Sequence, residues 1–243
     1  MTTGAAFARP DTAILVTAYL GSPSTPDTAL RDAGERYRST LDAIRRTREA
    51  GVAGRIFVAL CGNPSEAARL AQEVGDATVS CQWFAQDPSD QARGKGWLEH
   101  LLIRSAIAYW RLDESTNYLL KLTGKYVVEN LCDVVAIARD RALPVTGWRH
   151  LGMNWIDTRC FMFRADAYVA AACLDAIDER ASIYVEQAVY TWVRTAAGKP
   201  LLFVGRPIIT GLSGSTDVRF RTSLWKRALI RAATFFSAHW TNR

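Results

Sequence analysis

The residue least at home in its surroundings is Lys121, set inside the apolar run Tyr118-Leu-Leu-Lys-Leu122. An ammonium in a half-buried or buried strand needs a partner such as a phosphate or a carboxylate. Thr123, Gly124, Lys125 and Tyr126 follow at once, at the strand end where open α/β sheets place their ligands. The bland alternative is a hairpin turn whose lysines blunt a sheet edge. A second basic patch, Ala92-Arg-Gly-Lys-Gly-Trp-Leu-Glu99, puts glycines on both sides of Lys95 just before a helical stretch. Backbone N–H groups at a helix start form an anion cradle, and Lys95 adds a point charge. The spacing fits neither the G-x-x-x-x-G-K-[ST] loop nor the G-x-G-x-x-G turn. Three lysines in two such places favour phosphate over the bland alternative.

The carboxylate best placed for proton transfer is Glu186, in Ser182-Ile-Tyr-Val-Glu-Gln-Ala-Val-Tyr190. Val185, Val189 and Trp192 recur at helical spacing, and Glu186 lies beside that stripe near the helix start. It could serve as general base toward a hydroxyl, or simply complement the helix dipole. Pro207-Ile-Ile-Thr-Gly-Leu-Ser-Gly-Ser-Thr216 is a Gly/Ser-rich loop whose Ser213 and Ser215 could meet phosphate or sugar hydroxyls, although the bare pattern fits an ordinary loop better. Five scattered cysteines with no C-x-x-C pair, and only three histidines, argue against a zinc site or a disulfide framework. Buried free thiols are expected instead.

These residues need a frame, and the apolar pattern supplies one. Ala13–Tyr19 and Arg55–Cys61 are near-continuous apolar runs, as in strands buried on both faces. Thr78–Phe84, Tyr118–Leu122, Leu143–Trp148, Asp157–Phe163 and Leu201–Gly205 read as further strands. Helices are expected from about Thr28 to Ala50, from a Ser65 cap to Gln72, over 97–111 on a Leu98, Leu101, Leu102, Ser105, Ala108 stripe, over 130–140, from Ala165 to Ile177, from Tyr184 to Ala196, and from Thr222 to Trp240. Strand and helix alternate, which is the α/β signature of a mostly parallel sheet flanked by helices.

The length of 243 residues suits one substantial domain, and neither a repeat nor a linker divides it. Net charge is +6, yet the 24 acids all lie at or before residue 217, where they balance 24 of the 30 Lys and Arg. The surplus belongs to the tail, which counts against a nucleic-acid surface over the body. Residues 1–217 are thus read as the main domain and 218–243 as a basic amphipathic helical appendage. Its apolar positions are Leu224, Trp225, Ala228, Leu229, Ala232, Phe235, Phe236 and Trp240. Such a helix suits an anionic membrane surface, though a helix folded onto the domain has the same pattern. No signal peptide or membrane span is legible, so a cytoplasmic place is expected, with peripheral attachment to the inner face of the cytoplasmic membrane as an option.

Taken in order, "ILVTAY", "RYRSTLDAI", "RIFVAL", "RGKGWLEHLLIRSAI", "YLLKLTGKYVVEN", "DTRCFMF", "YVEQAVY" and "ITGLSGST" resemble bacterial GT-A-like glycosyltransferases of capsule and lipopolysaccharide O-antigen assembly. The resemblance spans residues 13 to 216. It implies a Rossmann-like, GT-A-like sheet and transfer of a sugar from a nucleotide-diphosphate sugar to a glycan hydroxyl, with a lipid-linked acceptor expected. It gives Lys95 a donor-phosphate or sugar role, and it puts Lys121, Thr123, Gly124, Lys125 and Tyr126 where such enzymes carry a metal-binding Asp-x-Asp. That motif is absent from this sequence. Lysines can offset charge on the leaving diphosphate instead, so no metal ion or other cofactor is expected. On this parallel Glu186 is the base of an inverting displacement and Asp157 the second candidate. Arg159 orients sugar hydroxyls, and Tyr19 walls the nucleotide base. Two other readings stay open: a sugar nucleotidyltransferase, for which "AYLGSPSTP" is a poor phosphate loop, and a non-catalytic glycan- or partner-binding domain.

Overall fold

A computed structural model describes residues 12–21, 32–52, 54–116, 118–141, 143–212 and 219–240. In chain order the elements are β1 (Thr12–Leu20), α1 (Ala33–Glu49), β2 (Ile56–Gly62), α2 (Pro64–Val74), β3 (Val79–Trp83), α3 (Lys95–Trp110), α4 (Leu112–Ser115), β4 (Tyr118–Thr123), β5 (Tyr126–Val128), α5 (Leu131–Arg141), β6 (Val145–Thr146), β7 (Cys160–Phe163), α6 (Ala165–Val169), α7 (Val185–Ala196), β8 (Ile209–Leu212), β9 (Arg219–Arg221) and α8 (Leu224–Trp240).

Six strands form one sheet in the order β3-β2-β1-β4-β7-β6. β3, β2, β1 and β4 run parallel, while β7 and β6 are antiparallel to their neighbours. The α/β, mostly parallel expectation holds. Alternate residues of β1 explain its unbroken apolar run. Ile14, Val16 and Ala18 pack into one layer with α1, α2 and α5, whereas Ala13 and Leu15 pack into the other with α3 and α7. A strand covered on both faces has no polar side.

The topology also fixes where a ligand can sit. From β1 the chain winds outward through β2 to β3, then crosses by α3 to β4 on the other side of β1. The helices on either side therefore diverge at the carboxyl ends of β1 and β4, which is where such sheets open a crevice. Gly124 lets that crevice close at its base. Its N–H donates to Thr17 O at 2.8 Å, and a Cβ there would stand 2.9 Å from the Ala18 Cβ.

Several expected elements differ. Leu201–Gly205 is no strand: Leu201 makes a lone bridge to Trp148, and the Trp148 indole N–H then captures the Val204 carbonyl at 3.0 Å. The helix expected over Ala165–Ile177 stops at Val169 and resumes as a 3₁₀ turn, Ala172–Ala176. Asn63, not Ser65, caps α2, accepting the Ser65 N–H at 3.0 Å. On α3, Ser105 and Ala108 are exposed while Ile103, Ala106 and Ile107 are buried, because both Leu102 and Ile103 must be covered. All five cysteines are free; Cys61 and Cys160 are buried, but Cys132 is exposed.

The tail has two faces. β9 pairs with β8, extending the small β5-β8-β9 sheet. α8 docks through Arg227, which donates to both Glu129 carboxylate oxygens, through buried Ile230, and through Thr234, whose hydroxyl accepts the Gly205 N–H at 2.9 Å. Leu224, Trp225, Leu229, Phe235 and Phe236 remain exposed. Among the described residues no helix is long and apolar enough to cross a membrane.

Candidate active site

The crevice at the ends of β1 and β4 is a cleft of ≈ 740 Å³. It brings together Tyr19, Lys95, Thr123, Gly124, Lys125, Tyr126, Asp157, Arg159 and Glu186, which the sequence had scattered over more than 160 residues. Ser213 and Ser215 lie outside the described residues.

Lys121 is the exception. Its side chain is 0% exposed and sits beneath the cleft floor. Its Nζ lies 2.7 Å from Glu99 Oε1 and donates to Thr123 Oγ1 at 2.8 Å and to the Thr158 carbonyl at 2.7 Å. Three donors meet three protein oxygens, so the ammonium has nothing left for a phosphate. The expectation that Lys121 binds the donor directly is corrected: it holds Glu99. That carboxylate also accepts from Thr17 Oγ1 at 2.8 Å. Burial works against its charge, yet the Lys121 ammonium beside it holds its carboxyl below the ordinary carboxylate range. Glu99 was passed over in the sequence, although a buried lysine demands a carboxylate somewhere.

Besides Arg159, which is paired with Asp157, the cations that face the cleft are Arg36, Lys95 and Lys125. Arg36, on α1, is buried, with its guanidinium 5.8 Å from the centre of the Tyr19 ring. Lys125 lies over the Tyr126 ring at 5.3 Å and has no carboxylate within ion-pair distance among the described residues. Burial pulls it down to about 8; Arg36, Lys95 and Lys121 push the same way, and Glu99 opposes them. A protein that crowds cations in a partly dry crevice lowers their cost by binding an anion there.

The helix start of α3 is less open than its glycines suggested. Gly94 adopts φ +95°, and a Cβ there would collide with Glu179. The Gly96 N–H donates to Glu179 Oε1 at 2.8 Å. Arg93 fastens the segment that carries Glu179 by donating to the carbonyls of Asp175 and Ile177. The cradle at the Gly-Lys-Gly turn is real, and the protein's own carboxylate fills it.

The two candidate bases separate clearly. Asp157 is 2% exposed and gripped by Arg159 through two hydrogen bonds of 2.7 Å. Burial would raise it, but Arg159 overrides that and holds it below the usual range. A carboxylate so engaged is a poor proton acceptor. Glu186, in the first turn of α7, is raised by burial, with the Glu99 charge adding to the effect. Thr158 links it to the floor, donating to Glu186 Oε1 at 3.5 Å while its carbonyl accepts from Lys121. Of the two carboxylates, Glu186 is the one whose surroundings raise its proton affinity. Arg159 lies 4.0 Å from the centre of the Phe220 ring, so β9 contributes a wall that went unread in the sequence. Among the described residues no three His, Cys, Asp or Glu side chains group as metal ligands.

The fold matches known structures at low identity. A protein of Desulfovibrio desulfuricans G20, provisionally named a nucleotide-diphospho-sugar transferase, superposes with a TM-score of 0.52 at 13% identity, covering 79% of this chain and 78% of that one. Rv0371c of Mycobacterium tuberculosis H37Rv superposes with a TM-score of 0.47 at 16% identity, covering 92% and 99%. No protein-family model and no curated protein matches the sequence. The chain thus shares the α/β fold of the first of these structures.

Proposed function

We propose that the chain is a glycosyltransferase that moves a sugar from a nucleotide-diphosphate sugar to a glycan hydroxyl. The observation that carries this reading is the pairing of Lys125, Arg36 and Lys95 with Glu186 across one crevice at the β1–β4 switch point. Tyr19 flanks the nucleotide base, and the cations meet the diphosphate. Glu186 takes the proton of the acceptor hydroxyl as its oxygen bonds to the anomeric carbon. The bond from that carbon to the diphosphate oxygen breaks on the opposite side and leaves its electron pair on the nucleotide. A single displacement of this kind inverts configuration. Lys125 and its neighbours offset the charge growing on the leaving group, and no step is routed through a metal ion. Arg159 and Asp157 orient the acceptor as a fixed pair.

The acceptor is a lipid-linked glycan of bacterial surface polysaccharide, such as capsule or O-antigen. The enzyme works at the inner face of the cytoplasmic membrane, held there by α8. Support for that placement is the exposed apolar row of α8 beside exposed Lys226 and Arg231, the pattern of an interfacial helix.

The test is incubation of the protein with a panel of nucleotide sugars, with and without EDTA, following nucleotide release. Release with one donor, unaffected by EDTA, is the expected result. Glu186→Gln should lose about 10²–10⁴-fold in turnover and keep its donor affinity. No release with any donor sinks the enzyme; release abolished by EDTA sinks only the metal-free mechanism; full turnover in the Gln variant removes Glu186 as base.

A further inference from the structure

A second cavity of ≈ 360 Å³ lies beside the main cleft, within the size range of small-molecule sites, roughly 300–1,000 Å³. His150, Met153, Asp157, Arg159 and Phe220 line both, so the two share a wall. The charge of the second is one-sided. Arg159, Arg206, Arg221 and Lys226 line it, and among the described residues Asp157 is its one carboxylate, already spent on Arg159. Arg159 Nη1 is buried and has no hydrogen-bond partner. Arg206 reaches the cavity from a guanidinium anchored on the Arg149 carbonyl at 2.8 Å. His150 stands in the field of Arg206, Arg159 and Lys226, and burial moves it below its ordinary value, toward the neutral form.

The far wall is α8. Lys226 and Ile230, one turn apart, face the cavity, while Leu224, Trp225 and Leu229 on the same turns are exposed. A ligand in this chamber would thus meet a cluster of cations between the wall shared with the cleft and α8, whose exposed apolar residues lie outside the cavity. We propose that the second chamber binds the phosphate or diphosphate that joins the acceptor glycan to its lipid. This rests on the glycosyltransferase reading and narrows it. Because the chambers share a wall, the accepting hydroxyl belongs to a sugar at or next to the phosphate. The acceptor is accordingly the product of a reaction that places a phosphosugar on a lipid phosphate, not a long finished chain.

The full-length protein should bind farnesyl diphosphate in the presence of saturating UDP, about tenfold or more tighter than farnesol. Arg221→Glu with Lys226→Glu, both exposed positions, should weaken farnesyl diphosphate about tenfold or more and leave UDP affinity within about twofold; circular dichroism checks that the variant is folded. Competition between farnesyl diphosphate and UDP, or binding indifferent to the charge reversal, overturns the site. Inorganic pyrophosphate binding as tightly as farnesyl diphosphate makes it a free-phosphate site, and displacement by phosphatidylglycerol vesicles makes it a headgroup site; either overturns the lipid-linked acceptor. Charge-sensitive binding in a protein inactive with every nucleotide sugar supports the chamber and removes the glycosyltransferase reading. Turnover of a nucleotide sugar without such binding does the reverse.

Discussion

Replacing Lys121 with Met removes the buried ammonium and leaves Glu99 facing Thr17 and Thr123 with an uncompensated charge. Breaking a buried pair from one side costs roughly 3–5 kcal/mol. The Glu99 side chain keeps 22% of its exposure toward the cleft, so water softens the loss and the lower figure, about 3 kcal/mol, applies. For a chain of this size that is a fall in Tm of about 6–12 °C. Glu99→Gln combined with Lys121→Met should recover much of the loss, with a coupling energy of about 2 kcal/mol. Urea and thermal unfolding of the two singles and the double measure it. The pH dependence has a definite sign. The folded carboxyl of Glu99 is depressed, so the pair's contribution is full above the unfolded carboxylate value of about 4.3 and is lost as pH falls through the folded value. In Lys121→Met the carboxyl no longer has that stabilisation, and the gap between variant and wild type should narrow as acid protonates it. Nucleotide affinity adds a second reading. Since Lys121 spends its protons on protein, the double variant should bind UDP within about threefold of wild type. A single variant that loses less than about 1 kcal/mol, or a double variant that cannot bind nucleotide, refutes the reasoning.

Other predictions follow from the same cleft and from the tail. Lys125, pulled down to about 8, should lose its charge as pH rises, so affinity for nucleotide diphosphate falls between about pH 7 and about pH 9; isothermal titration across that range should show a flat profile for Lys125→Arg. Turnover should carry an acid limb above the ordinary carboxylate range, set by Glu186, and stopped assays of the Gln variant should lack it. Serine at Leu224, Trp225, Phe235 and Phe236 together should leave Tm nearly unchanged, because these side chains are exposed, and should abolish sedimentation with anionic vesicles. Arg227→Ala should cost about 1 kcal/mol or less, since its partner Glu129 is about one-third exposed.

The frame was legible because burial on both faces leaves an unmistakable trace: Ala13–Tyr19 and Ile56–Cys61 contain almost nothing polar. The strand-end lysines were legible for a related reason, since charge inside such a run is costly. Which anion each lysine meets was not legible. Lys121 and Lys125 look alike in the sequence and are separated only by direction, one turned under the floor toward Glu99 and the other outward. Glu99 and Glu179 went unread because their roles arise across 22 and 83 residues, from Lys121 and Gly96 respectively. Leu201–Gly205 misled because an apolar run records burial, while strand pairing depends on which carbonyls neighbours such as Trp148 have claimed.

The floor of the cleft is also a seam in the folding of the chain. β1, β2 and β3, with their helices, can assemble in parallel from local crossovers, but the other edge of β1 stays open until β4 arrives about 100 residues later. Thr17 and Glu99 come from the part made first; Lys121, Thr123 and Thr158 come from the part made afterwards. Closing a long loop of this kind is slow, and until it closes Glu99 lacks the cation that Lys121 brings. The polar cluster under the crevice is thus a marker of completion. A chain stopped before residue 118 could pack its first three strands, yet it would have neither a second wall for the cleft nor a cation for its own carboxylate.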